Sequence, residues 1–136
     1  MIILVDDLRK FYNQREAVVF TATGPAILFL QKCAREGKTV EELYLDHDLG
    51  EENGIPITIM PLVDYLVETG LEKTNPVIEN IIVHTSNPAG KNTMVQALSI
   101  NRLNGTYKVT SGDAHDLGLG MPVFRPRRYR ETDIGY

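Results

Sequence analysis

The chain has 136 residues, 43% of them apolar and 24% charged, enough for one compact domain with its own core and no need of disulfides. Its formal net charge of −4 is uneven: residues 1–124 carry 10 Lys+Arg against 16 Asp+Glu, while the last twelve carry four Arg against two acids. An acidic body excludes a broad duplex-binding face, because duplex affinity comes largely from basic neutralisation of phosphates.

Ile2 to Val5 is an unbroken run of β-formers ending at Asp6-Asp7, the pattern of a strand buried on both faces. Ala17 to Thr21 is a second strand candidate. Thr23-Gly24-Pro25 opens a helix whose Ala26, Phe29, Leu30 and Cys33 share one face, with Gly37 placed to cap its end. Cys33, the single cysteine, fits there as a small core residue. Leu43 to Leu45 is the third strand, "GEENG" a loop, and Ile57 to Glu68 a helix closed by Gly70 that either kinks at Pro61 or starts later. Val77 to Val83 is the fourth strand. A helix from about Lys91 to Leu103 follows, with Met94, Ala97 and Leu98 inward and Gly105 as its stop, and then a fifth strand at Tyr107 to Thr110.

Strands alternating with helices predict an α/β fold: a flavodoxin-like, doubly wound, mostly parallel five-stranded sheet covered on both sides. The expected boundaries are one domain over 1–124 and a basic tail over 125–136. No apolar run approaches the ~18 residues of a membrane span. "MIILVDDLRK" has acids directly after its apolar residues and no preceding basic stretch, so it does not fit a signal peptide. A cytoplasmic protein without membrane contact is expected. "HDLG" occurs at His47–Gly50 and again at His115–Gly118, but the flanking segments do not match and there is no repeat.

In such a sheet the residues just after each buried run project into one crevice. The first strand delivers Asp6 and Asp7, the third Asp46, His47 and Asp48, and the fourth His84, Thr85, Ser86 and Asn87. Carboxylates this dense repel one another and raise each other's pKa unless a cation neutralises them. Mg²⁺ suits such a site, as does Mn²⁺, held by Asp6 and Asp7 with Asp46 or Asp48. His84, His47 and Asp48 are the catalytic candidates, since imidazole exchanges protons near neutral pH: one histidine as base, the other as acid. Ser86, Thr85, Asn87 and the amides of "NPAG" are placed to bind a phosphate at a helix start, with Lys91 and Arg9 as cationic help.

An acidic pair after strand one, an Asp after strand three and a Ser/Thr after strand four resemble the receiver domain of two-component signalling. The motifs "VDDLR", "LDHDLG" and "VHTSNPAG…M" are similar, more closely, to the cyclic-phosphate processing receiver family, which adds histidines to that scaffold. The resemblance covers Ile2 to about Thr110. It implies a metal-dependent phosphoesterase-like activity on cyclic phosphates, in a nucleotide or at an RNA terminus, with Asp6, Asp7 and Asp46 on the metal. It also matches Asp46 to a receiver's phosphoacceptor and Ser86 or Thr85 to its hydroxyl. One departure stands out: receivers place Lys-Pro at the end of strand five, whereas "YKVTSG" puts Lys108 in mid-strand. The alternatives are a non-enzymatic receiver-like binding module and a haloacid dehalogenase-type phosphatase, which "LDHD" and "VHTS" fit in part but in the wrong chain order.

Overall fold

A computed structural model describes residues 1–12, 15–72, 74, 76–102 and 107–120. Its elements are β1 (Ile2–Val5), β2 (Lys10–Phe11), β3 (Val18–Phe20), α1 (Thr23–Glu36), β4 (Thr39–Leu45), β5 (Asp48–Glu52), β6 (Ile55–Thr58), α2 (Met60–Glu72), β7 (Val77–Val83), α3 (Pro88–Arg102), β8 (Lys108–Ser111) and β9 (Leu119–Gly120). Five of the strands make one parallel sheet in the order β3-β1-β4-β7-β8. This is the flavodoxin-like sheet expected from the strand–helix alternation.

Side chains alternate across a strand, so the register decides what each face holds. Ile3, Leu43 and Ile81 are aligned, as are Val5, Leu45 and Val83. These six face all three helices, meeting Ala26, Leu30 and Cys33 of α1, Leu62 and Leu66 of α2, and Met94 and Leu98 of α3. Fully burying one such side chain stabilises the fold by about 1.5–3 kcal/mol. The intervening residues Leu4, Tyr44 and Ile82 face the other way, against Phe11 and Leu119. The second face is therefore covered by the antiparallel β2–β9 pair rather than by a helix among the described residues. Strand order explains the split. From β1 the chain steps outward to β3, and from there it returns past β1 to β4 and onward. A connection of constant hand that steps the opposite way crosses the opposite face.

Several local expectations shift. "GEENG" is not a loop: β5 and β6 form a hairpin with Asn53 (φ 54°) and Gly54 (φ 76°) at its tip. Two adjacent positive φ values suit an Asn-Gly hairpin turn, and the strongly polar β5 hid the strand. Ile57 belongs to β6, and the helix begins at Met60, which puts Pro61 in its first turn, where the missing N–H costs nothing. Gly70 lies inside α2 and is buried, so it does not end the helix. The third strand is longer than expected, starting at Thr39, and α3 starts at Pro88 rather than Lys91. Gly37 caps α1 in the left-handed region (φ 66°), as its position predicted. The stop at Gly105 and the tail 125–136 lie outside the described residues. Among the described residues no helix is long and apolar enough to cross a membrane.

Candidate functional site

The sheet ladder runs one residue past the paired positions of its central strands. The Asp6 N–H donates to Phe20 O (3.0 Å), Asp46 N–H to Val5 O (3.1 Å) and His84 N–H to Leu45 O (3.1 Å). Asp6, Asp46 and His84 thus stand side by side at the carboxyl ends of β1, β4 and β7. Alternation puts them on the face of Leu4, Tyr44 and Ile82, away from the helices. All three are buried. Asp6, Asp7 and Asp46 each offer an oxygen, and the three oxygens lie within 4.8 Å of one another. Asp48 is not in this group: it is exposed at the start of β5.

The electrostatics follow from the crowding. Burial, and then the charge of Asp6, push the Asp46 carboxyl up to about 6, against a hydrogen bond from the Thr85 hydroxyl and the positive charge of Arg9. Asp7 is also raised, first by burial and then by Asp6, with Asp48 contributing. Oδ1 of Asp6 accepts the backbone N–H groups of Leu8 (2.9 Å) and Arg9 (2.8 Å), while its buried Oδ2 accepts no hydrogen bond. Among the described residues Arg9 is the cation paired with these carboxylates, its Nη1 3.6 Å from Asp6 Oδ2 and 3.4 Å from Asp46 Oδ2. Three carboxylate oxygens this close together are donors of the kind that a hard divalent cation such as Mg²⁺ or Mn²⁺ takes, and Asp6, Asp7 and Asp46 are the residues that could hold one.

The two histidines have opposite surroundings. The His84 side chain is fully buried, and neither ring nitrogen has a hydrogen-bond partner. Its Nδ1 is 3.7 Å from Asp6 Oδ2, too long for a hydrogen bond. Burial lowers its pKa to about 4 even though Asp6 pulls the other way, so the ring is neutral near pH 7 and the contact is not an ion pair. Its ring also lies 6.3 Å from that of Tyr44. His47 instead keeps some solvent access, and its Nδ1 is 2.9 Å from Asp48 Oδ1. It follows Asp46 by one residue, and its ring rests on Gly90 at the start of α3. A Cβ added at Gly90 would lie 2.6 Å from His47 Cγ. Gly90→Ala should therefore destabilise the fold by about 1–3 kcal/mol despite alanine's better helix propensity. Urea unfolding monitored by circular dichroism checks this.

The turn into α3 is tied together. Asn87 Oδ1 accepts the Gly90 N–H (3.0 Å), which makes Asn87 the helix cap ahead of Pro88, and the Asn87 N–H donates to Thr85 Oγ1 (3.1 Å). Thr85 is buried against Asp46, Ser86 is exposed, and Lys91 is half-buried in the first turn of α3. Of the phosphate-binding candidates, Thr85 and Arg9 are thus brought to the carboxylates. Asn87 caps the helix, and no described hydrogen bond or ion pair holds Ser86 or Lys91 against the carboxylates. Lys108 is exposed at the first position of β8, paired in register with Asn80, three residues before the strand end at Ser111.

Sequence reasoning missed a second group beneath the site. Arg15 pairs with Glu42, its Nη1 donates to the Tyr44 hydroxyl (2.9 Å), and that hydroxyl donates to Glu42 Oε1 (3.0 Å). The guanidinium also lies 5.2 Å from the centre of the Phe11 ring. Glu42, Tyr44 and Asp46 are alternate residues of one strand, so their common face was readable in principle.

A family model described as the cyclic-phosphate processing receiver domain matches residues 1–100. No curated protein and no solved structure matches the chain. The matched span holds all three strand-end motifs and every candidate site residue from Asp6 to Lys91. The chain belongs to the cyclic-phosphate processing receiver domain family, and its role is linked to cyclic phosphates.

Proposed function

We propose that the protein is a divalent-cation-dependent phosphoesterase that opens a cyclic phosphate carried by a nucleotide or an RNA end in the cytoplasm. The observation that carries this reading is the set of three carboxylate oxygens within 4.8 Å at the ends of adjacent strands. A Mg²⁺ or Mn²⁺ ion bound there would neutralise charge on a phosphoryl oxygen. Asp6 and Asp46 supply its buried floor and the half-buried Asp7 its rim. Arg9 and the Thr85 hydroxyl border the same carboxylates and orient the phosphate. The exposed Asp48 fixes the tautomer of His47 by accepting its Nδ1–H, which leaves Nε2 to take the proton of an attacking water, while the ring oxygen that departs from phosphorus takes its proton from solvent. His84, neutral and sealed behind Asp6, is a positioning residue for that carboxylate and does not meet substrate.

The test is a panel of 2′,3′-cyclic, 3′,5′-cyclic and linear phosphoesters with and without Mg²⁺ or Mn²⁺. Cyclic esters should be opened only when the ion is present. No hydrolysis of any ester would favour the binding-module reading, which predicts instead a stable phosphate on Asp46 after treatment with a small phosphodonor. The place of Lys108, at the far end of β8, weighs against that switch.

A further inference from the structure

The Arg9 guanidinium occupies ground that a metal ion also needs. Its Nη1 lies 3.6 Å from Asp6 Oδ2 and 3.4 Å from Asp46 Oδ2, and both oxygens belong to the carboxylates of the proposed metal centre. The backbone of Arg9 is fixed by its N–H bond to Asp6 Oδ1, but the side chain is 25% exposed and long enough to move. A Mg²⁺ ion coordinates carboxylate oxygens at about 2.0–2.1 Å, so it would face a like charge across the same two carboxylates. Its double charge wins that competition in a buried setting, where attraction scales with charge.

Resting on the metal reading above, we propose that Arg9 is an exchangeable counter-ion. It neutralises Asp6 and Asp46 while the centre holds no metal, and leaves them for a phosphoryl oxygen of the substrate once the ion binds. The guanidinium suits both duties, because its planar fork fits carboxylates and phosphates alike. The device keeps buried carboxylates from standing uncompensated and delays capture of phosphate until the ion is in place.

The experiment measures Mn²⁺ and Mg²⁺ binding by titration calorimetry for the wild type and Arg9→Gln. It then measures binding of inorganic phosphate to each metal-saturated protein. Arg9→Gln should bind the ion about tenfold more tightly, as expected when a competing cation a few ångströms away is removed, and should lose most of its phosphate affinity. A merely structural Arg9 gives unchanged or weaker metal binding, since Gln keeps the backbone N–H that holds Asp6 Oδ1, and either result overturns the proposal. In parallel, the Arg9 Nε–Hε resonance, identified by its absence in Arg9→Gln, should move on Mg²⁺ saturation and move again when phosphate is added. A resonance that stays put through both steps, with metal bound, overturns this inference alone. A wild type that binds neither ion overturns the metal reading and this inference together.

Discussion

Exchanging His47 for glutamine should lower the rate of cyclic-ester hydrolysis by about 10²–10⁴-fold, the span typical of a lost general base. Metal binding should barely change, because His47 is not among the carboxylate ligands. The same exchange at Asp48 should cost less, since it removes the group that sets the His47 tautomer and leaves the imidazole in place. His84→Gln makes the contrasting case. Its ring is buried and neutral, and it touches the back of Asp6, so its loss should weaken metal affinity and leave the rate at saturating metal within a few-fold. Measuring kcat and the metal dissociation constant for all three variants separates the roles. A His84→Gln protein that binds metal normally but turns over nothing would assign the proton chemistry to His84 instead.

Asp46→Asn should stabilise the metal-free protein and abolish its stabilisation by Mg²⁺. The folded state raises the Asp46 pKa from 3.8 to about 6, mainly by burial and the Asp6 charge. At ~1.4 kcal/mol per unit, the ionised side chain costs the fold roughly 3 kcal/mol above pH 6. Asparagine removes that charge, so the melting temperature of the metal-free variant should rise by several degrees at pH 8. The pH dependence has a checkable sign. An acid with a raised folded pKa gives stability that is fully present below pH 3.8 and lost as pH rises through about 6. His84 works the other way: with its pKa lowered from 6.5 to about 4, stability is complete above pH 6.5 and falls as pH drops toward 4. Between pH 4 and 6 the two slopes oppose each other. Wild-type stability in EDTA should change little across that window on their account. Asp46→Asn should gain stability with rising pH, and His84→Gln should lose it. Urea midpoints at half-unit pH steps report both slopes, and parallel profiles for the two variants would contradict the assignment.

The ends of three apolar runs were legible because a buried parallel strand is a block of β-formers, and the first polar residue after it marks the crevice. Asp6, Asp46 and His84 were found that way, and the register places them in one row. What was not legible is how deep each lies. His47 and His84 follow similar apolar runs, yet one is paired with its neighbour Asp48 and keeps some solvent access, while the other is sealed among residues distant in sequence such as Asp6 and Tyr44. The hairpin at β5 and β6 escaped notice since Asp48–Glu52 has three acids and no β-branched residue, so its strand state rests on pairing with β6. The Arg15–Glu42 pair escaped for a different reason: it joins residues 27 apart in sequence, and spacing does not report such a contact.

The cover that the β2–β9 pair gives the second sheet face bears on where the protein can be cut. Phe11 sits two residues after Arg9 and is pinned from outside by Leu119 in the β2–β9 ladder, with the Tyr12 N–H donating to Gly118 O at 2.9 Å. The segment that carries Arg9 therefore borrows its anchorage from beyond residue 100, where the family match ends. A fragment trimmed to 1–100 would keep Asp6, Asp7, Asp46 and both site histidines, but it would lack the edge strand β8 and the clasp that holds the Arg9 segment down. A fragment that runs through β9 should therefore unfold at higher urea than one trimmed to 1–100.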